Sequence, residues 1–261
     1  MQQDMMSSEE WGKVWGSRKL GRNFKERVKD RALHGLSMLI RSWADRCDPV
    51  PSIIELGCAP GVMMRRIQRA VPEAKLRGID YSENGLEQTI KSIASFGIDA
   101  DLMLGDIFSF APPYLSDLVV SFGLIEHFTD PAEVIRIHRK FAKPGGLIAV
   151  TVPNFSHPVV IKALRKYRPH DLETHRLDIM NEQALRKAFE YAGCVKIETG
   201  HAVGPLLPSP ESIRGNALLY GLFSMFWNGV SFLIPSSLFW PGLYWSCGRV
   251  PELKPNAHAG L

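Results

Sequence analysis

Four short segments hold the residues able to do chemistry. In Glu55-Leu56-Gly57-Cys58-Ala59-Pro60-Gly61, two glycines flank a short loop, which lets backbone approach a ligand closely and turn sharply into a helix. The third glycine of a G-x-G-x-x-G dinucleotide fingerprint is missing, and Glu55 stands two positions before the first. A carboxylate there repels a pyrophosphate and suits a ligand bearing positive charge. Asp80, 23 residues beyond Gly57, is placed to accept both hydroxyls of a ribose. Gly105-Asp106-Ile107 supplies another carboxylate, and Ser121-Phe122-Gly123-Leu124-Ile125-Glu126-His127-Phe128 adds a glycine turn, an acid and an imidazole. Each segment alone also has a plain structural reading, as an ordinary strand–helix turn or a common acid after a strand. Their recurrence after consecutive strands is what points to one crevice.

The elements that must position them alternate strand and helix. The sequence predicts strands at 52–57, 75–80, 100–104, 117–122, 147–153, 195–200 and 243–250, with helices at 62–70 and 83–96 between the first three. Asp130-Pro131-Ala132-Glu133 opens a further helix, with an N-cap Asp, Pro at the first helical position and Glu three residues after the cap; Pro144-Gly145-Gly146 stops it. Asn181 caps a helix that Gly193 closes. Strands joined through helices of this length pair in parallel by right-handed crossovers, giving an open α/β sheet covered on both faces. Ligands then sit outside the carboxyl ends of the strands, where the four segments fall.

Composition narrows the classes. The chain has 261 residues, 45% of them hydrophobic, with 31 Lys+Arg against 27 Asp+Glu, which excludes a disordered chain and gives no charge signature of nucleic-acid binding. Cys47, Cys58, Cys194 and Cys247 show no C-x-x-C spacing, against a zinc site or disulfide scaffold. The N-terminus has no apolar signal-like run, and a reducing, cytoplasmic setting is the expectation. Two stretches stand apart. Arg18, Arg22, Lys25 and Lys29 share one face of an expected N-terminal helix, with Leu20, Phe24, Val28, Ala32, Leu36, Leu39 and Trp43 on another; the basic face reads as solvated surface or as a contact for an anionic substrate or acidic membrane. From Gly215 to Gly248 there is no charged residue and there are nine aromatics. That stretch reads as a lid, a homodimer contact, a peripheral membrane contact or, at the edge of sufficient length, a span.

The series IIELGCAPG, GIDYS, GDI, DLVVSFGLIEHFTDP and FAKPGGLIAVTVPN resembles the class I S-adenosylmethionine-dependent methyltransferases over about residues 50–200, and looks most like their small-molecule and quinone branch. LYWSCGRVP looks like that branch's last, antiparallel strand. The resemblance implies a Rossmann-like, seven-stranded, mostly parallel sheet with helices on both faces, an N-terminal helical cap (1–48), a cofactor-binding core (49–202), a hydrophobic helical insertion (203–242) and a last strand with tail (243–261). It implies S-adenosyl-L-methionine as cofactor, with NAD the rival. Glu55, Gly57, Cys58, Ala59 and Gly61 then line its methionine part, with Cys58 read as a small packing residue. Asp80 holds the ribose diol, Tyr81 packs beside the adenine, Asp106 and the Ile107 backbone bond the adenine, and Phe122 and Gly123 lie under the sulfonium.

The expected activity is methyl transfer to an O or N atom of a small, aromatic or specialised acceptor. A membrane-associated lipid or quinone methyltransferase and a non-catalytic cofactor-binding protein are the alternatives. His127 is the leading base and His175 the second catalytic candidate, within a loop that also holds His157, His170, Arg168 and Arg176. Quinone O-methyltransferases resemble E-x-x-E-H after the fourth strand; here Gly123 replaces the first carboxylate, so no obligatory metal is expected.

Overall fold

The computed structural model describes residues 6–17, 31–203 and 241–252. In chain order these form α1 (Ser8–Ser17), α2 (Arg31–Ala44), β1 (Ser52–Leu56), α3 (Val62–Ala70), β2 (Lys75–Asp80), α4 (Glu83–Ala94), β3 (Asp101–Leu104), β4 (Ser116–Phe122), a 3-10 turn (Ile125–His127), α5 (Pro131–Phe141) and β5 (Ala142–Pro153). Then come α6 (Pro158–Tyr167), α7 (Pro169–Glu173), a second 3-10 turn (Leu177–Ile179), α8 (Glu182–Tyr191), β6 (Val195–Val203) and β7 (Pro241–Arg249).

The seven strands make one sheet in the order β3-β2-β1-β4-β5-β7-β6. β1 to β5 are parallel; β7 runs antiparallel between β5 and β6. Strand order reverses between β1 and β4, so the crevice opens between their carboxyl ends. Alternation along β1 divides the core: Ile53 packs with Ile40, Trp43, Ile67 and Leu118 on one face, while Ile54 and Leu56 pack with Val119, Phe141, Ile148 and Phe189 on the other.

The caps are those the sequence encodes. Asp130 accepts from the Glu133 N–H at 3.1 Å, and Asn181 accepts from the Ala184 N–H at 2.8 Å. Two expectations need correction. β5 begins at Ala142 and runs through Pro144-Gly145-Gly146, because Ser116 pairs with Ala142 before a register shift carries the strand on to Leu147. Residues 158–173, expected as loop, form α6 and α7.

The basic stripe from Arg18 to Lys29 and residues 204–240, which hold most of the uncharged 215–248 stretch, lie outside the described residues. Topology still fixes where the latter attaches. β6 ends at Val203 and β7 begins at Pro241, which pair with each other. Val203 and Pro241, the residues that flank 204–240, therefore lie at the carboxyl edge of the parallel strands, the edge of the crevice. Among the described residues no helix is long and apolar enough to cross a membrane.

Candidate active site

The turn after β1 is built on glycine. Gly57 and Gly61 have φ of 72° and 82°, where a side chain is strained. A Cβ on Gly57 would stand 3.0 Å from Leu124 of the turn after β4, which shows how closely those two turns approach across the switch point. The Gly57 N–H donates to the Ile79 carbonyl at 2.9 Å, which locks the loop to β2. Asp80 completes the lock: its carboxylate accepts from the Ala59 N–H at 3.0 Å and the Ser82 N–H at 2.9 Å. The Tyr81 backbone N–H bonds the same carboxylate.

Glu55 is buried at the end of β1, and its Oε2 has no hydrogen-bond partner. Burial first, and the neighbouring Asp80 second, push its carboxyl well above the usual range; burial likewise raises Asp80. An orphaned acid beside a second acid is an arrangement that a cation completes. Cys58 is also buried, its thiol pushed well above normal by burial, with its sulfur 2.8 Å from where a Cβ on Gly78 would stand. That is a packing role, since a buried neutral thiol is a poor nucleophile.

At the rim, Asp106 is exposed and its Oδ1 accepts from the Phe108 N–H at 3.0 Å, while Ile107 is buried beside it. Phe122 and Gly123 are half-buried at the end of β4, with Gly123 at φ 69°. Tyr81 donates its hydroxyl hydrogen to the Met6 carbonyl at 3.1 Å, which draws the N-terminal segment over the edge.

His127 and His175, 48 positions apart, meet with ring centroids 4.2 Å apart. Two bonds zip their segments together: the Arg176 N–H donates to the Glu126 carbonyl at 2.8 Å, and His127 Nδ1 lies 2.8 Å from the Thr174 carbonyl. A carbonyl only accepts, so Nδ1 carries the proton and Nε2 keeps its lone pair. Burial, with the nearby His175, lowers His127 to about 3; burial lowers His175 to about 4. Glu126 is buried beside them, with one oxygen within 4.8 Å of a nitrogen of each ring, its carboxyl pushed up to about 8 by burial.

The other acceptor-side candidates do not join this cluster. His170 is exposed and pairs with Glu173, Arg168 pairs with Asp171, and Arg176 binds Asp178 and the Thr129 carbonyl. His157 is half-buried just before α6. In their place stand Trp11, whose ring meets His127 edge-on at 4.9 Å, and Phe155, 5.1 Å from His175. The capping box of α1, in which the Ser7 N–H donates to Glu10 and Ser7 Oγ accepts from the Glu10 N–H, marks the helix that carries Trp11, but its contact with His127 has no local signal.

The glycine loop, the orphaned Glu55 and the Asp80 carboxylate at the end of β2 fit a donor that carries cationic groups and a ribose. Comparison with known proteins agrees. Over 128 residues the chain is 27% identical to a ubiquinone biosynthesis O-methyltransferase of Thiobacillus denitrificans, covering 48% of this chain and 54% of that protein. The chain thus spans about half the length of the curated relatives it matches. Among solved structures, a plantazolicin methyltransferase in complex with SAH superposes with a TM-score of 0.60 at 17% identity, covering 94% of this chain and 96% of that one. A [4+2]-cyclase superposes with a TM-score of 0.56 at 17% identity, covering 83% and 81%. Such likeness speaks for the fold alone. Residues 24–199 match the family described as "Methyltransferase domain"; the chain belongs to that family, in its class I, S-adenosylmethionine-dependent form.

Proposed function

We propose that the chain transfers a methyl group to a hydroxyl of an apolar, aromatic small molecule, a phenol of the kind quinone precursors carry. S-adenosylmethionine supplies the methyl on a sulfonium, which leaves as a neutral thioether. Glu55 binds the ammonium end of that donor within the Gly57–Gly61 loop, Asp80 takes the ribose hydroxyls, and Asp106 with the Ile107 backbone takes the adenine beside Tyr81. Phe122 and Gly123 face the reacting sulfur.

The observation that carries the reading is the His127–His175 pair with Glu126, set directly after Gly123. An imidazole lone pair there accepts the acceptor's hydrogen bond and, as the carbon–oxygen bond forms, its proton. Trp11 and Phe155 give the pair an aromatic surround. Val203 and Pro241, which flank the segment holding most of the uncharged, aromatic-rich 215–248 stretch, lie at the same edge, which favours an apolar acceptor. O-methylation is preferred over N-methylation because the curated relative is named for it and because a neutral imidazole lone pair can accept the hydrogen bond of a hydroxyl.

His127→Ala and His175→Ala test this. With a catechol or hydroxyquinone acceptor, turnover falls by ~10²–10⁴ in His127→Ala, while calorimetry finds demethylated-cofactor affinity within a few-fold of wild type. Full turnover in both variants would remove the pair from the chemistry.

A further inference from the structure

We propose that Thr174 is a positioning residue for methyl transfer: with its carbonyl and its hydroxyl it sets the tautomers of His127 and His175, so that both rings present an Nε2 lone pair. This role rests on the reading of that pair as proton acceptors and specifies what makes them competent.

A neutral imidazole free in water carries its proton more often on Nε2 than on Nδ1. A buried ring takes the tautomer that its partners satisfy. At His127 the partner is the Thr174 carbonyl, 2.8 Å from Nδ1. A carbonyl only accepts, so the proton sits on Nδ1, against the ring's own preference. At His175 the partner is Thr174 Oγ1, 3.2 Å from Nδ1. A hydroxyl can donate or accept, but this one is committed. Its hydrogen goes to the His170 carbonyl at 2.9 Å, so Oγ1 accepts from His175 Nδ1. The Asp171 carbonyl also bonds the His175 ring.

Thr174 is itself held in place. It is buried at the end of α7, where its N–H donates at 3.1 Å to the same His170 carbonyl that takes its hydroxyl hydrogen. Two bonds to one oxygen fix backbone and side chain together, and a β-branched side chain has few rotamers to escape into. Two residues on, the Arg176 N–H donates to the Glu126 carbonyl at 2.8 Å, which keeps Thr174 against His127.

The tautomers matter when the proton moves. A lone pair of the acceptor oxygen attacks the methyl carbon, and the carbon–sulfur pair leaves with sulfur. The O–H electrons stay on oxygen and the proton passes to Nε2, giving an imidazolium. That imidazolium keeps its Nδ1–H on Thr174, so no ring has to turn and no partner is lost as charge develops. The Thr174 carbonyl favours the charged His127, while His175 opposes it, so the pair takes one proton at a time.

The test uses the full, nitrogen-labelled chain near neutral pH with demethylated cofactor bound. Long-range proton–nitrogen spectra report each histidine tautomer, His127→Gln and His175→Gln assign the two rings, and turnover is followed on a catechol. Wild type shows both rings with the proton on Nδ1. Thr174→Val keeps the shape and the backbone carbonyl but loses the hydroxyl. In it His127 is unchanged, His175 moves toward the Nε2–H form, and kcat falls about tenfold, as for one hydrogen bond lost from the transition state. Demethylated-cofactor affinity and melting temperature stay near wild type, and Thr174→Ser restores tautomer and kcat. An Nε2–H proton on either ring of wild type would overturn the role. So would an unchanged His175 tautomer in Thr174→Val, the result if the Asp171 carbonyl alone held the ring, or equal kcat losses in the Val and Ser variants. Tautomers as described, with full turnover in His127→Ala and His175→Ala, would instead remove the proton-acceptor reading and this role with it.

Discussion

His138 illustrates how burial at single residues shapes this protein's behaviour away from the crevice. It is fully buried in α5, with Nδ1 donating to the Val134 carbonyl at 2.7 Å and Nε2 accepting from Ser121 Oγ at 2.9 Å. Burial lowers it from 6.5 to about 4. Between those values the unfolded chain takes up a proton that the folded chain refuses. Its contribution is therefore complete above pH 6.5 and lost as pH falls toward 4. From pH 7 to pH 5 that loss is about 2 kcal/mol. Urea melts at the two values should show His138→Gln losing less stability than wild type by about that amount; equal losses would mean that His138 is not held neutral. The buried acids Glu55 and Glu126 behave in the opposite sense, since their raised values favour the protonated, folded form at lower pH.

At the scale of elements, the loop between β1 and α3 depends on a conformation that only glycine adopts without strain. At Gly61, φ is 82° and a Cβ would lie 3.2 Å from the Thr89 backbone, which cannot yield as a side-chain tip can. Gly97 also has positive φ, yet a Cβ there meets nothing within 4 Å. Both alanine substitutions carry the left-handed penalty of ~1–2 kcal/mol; Gly61→Ala adds the clash and should also weaken cofactor binding, whereas Gly97→Ala should not. Chemical denaturation and calorimetry on the two variants separate these effects, and equal behaviour would contradict the account. The strands and caps were legible in the sequence because β-branched runs, glycine turns and the Asp130 and Asn181 caps are local signals. The helices at 158–173 were not, since prolines and histidines there mask the period. The meeting of His127 with His175 was out of reach for a different reason: it depends on the Arg176–Glu126 backbone bond, a contact between distant segments that no spacing encodes. Tyr81 reaching Met6 is another such contact.

For the whole molecule, the order of strands decides where chemistry takes place. Reversal between β1 and β4 brings Glu55, Asp80 and the turn after Phe122 to one edge, and the antiparallel pairing of β6 with β7 brings Val203 and Pro241, which flank residues 204–240, to that same edge. The acids thus lie on the β1–β2 side of the crevice and the imidazoles beyond β4, the sides the proposed function gives to donor and acceptor. A [4+2]-cyclase shares the fold, so the architecture alone does not dictate methyl transfer; the side chains at the edge do. The most direct test is calorimetric titration of S-adenosylmethionine and its demethylated product into the full chain and into Asp80→Ala. The account predicts saturable binding of both by wild type and a loss of at least ~tenfold in the variant, as expected from removing charged hydrogen bonds worth ~1.5–3 kcal/mol each. No binding by wild type, or equal binding by the two proteins, would contradict it.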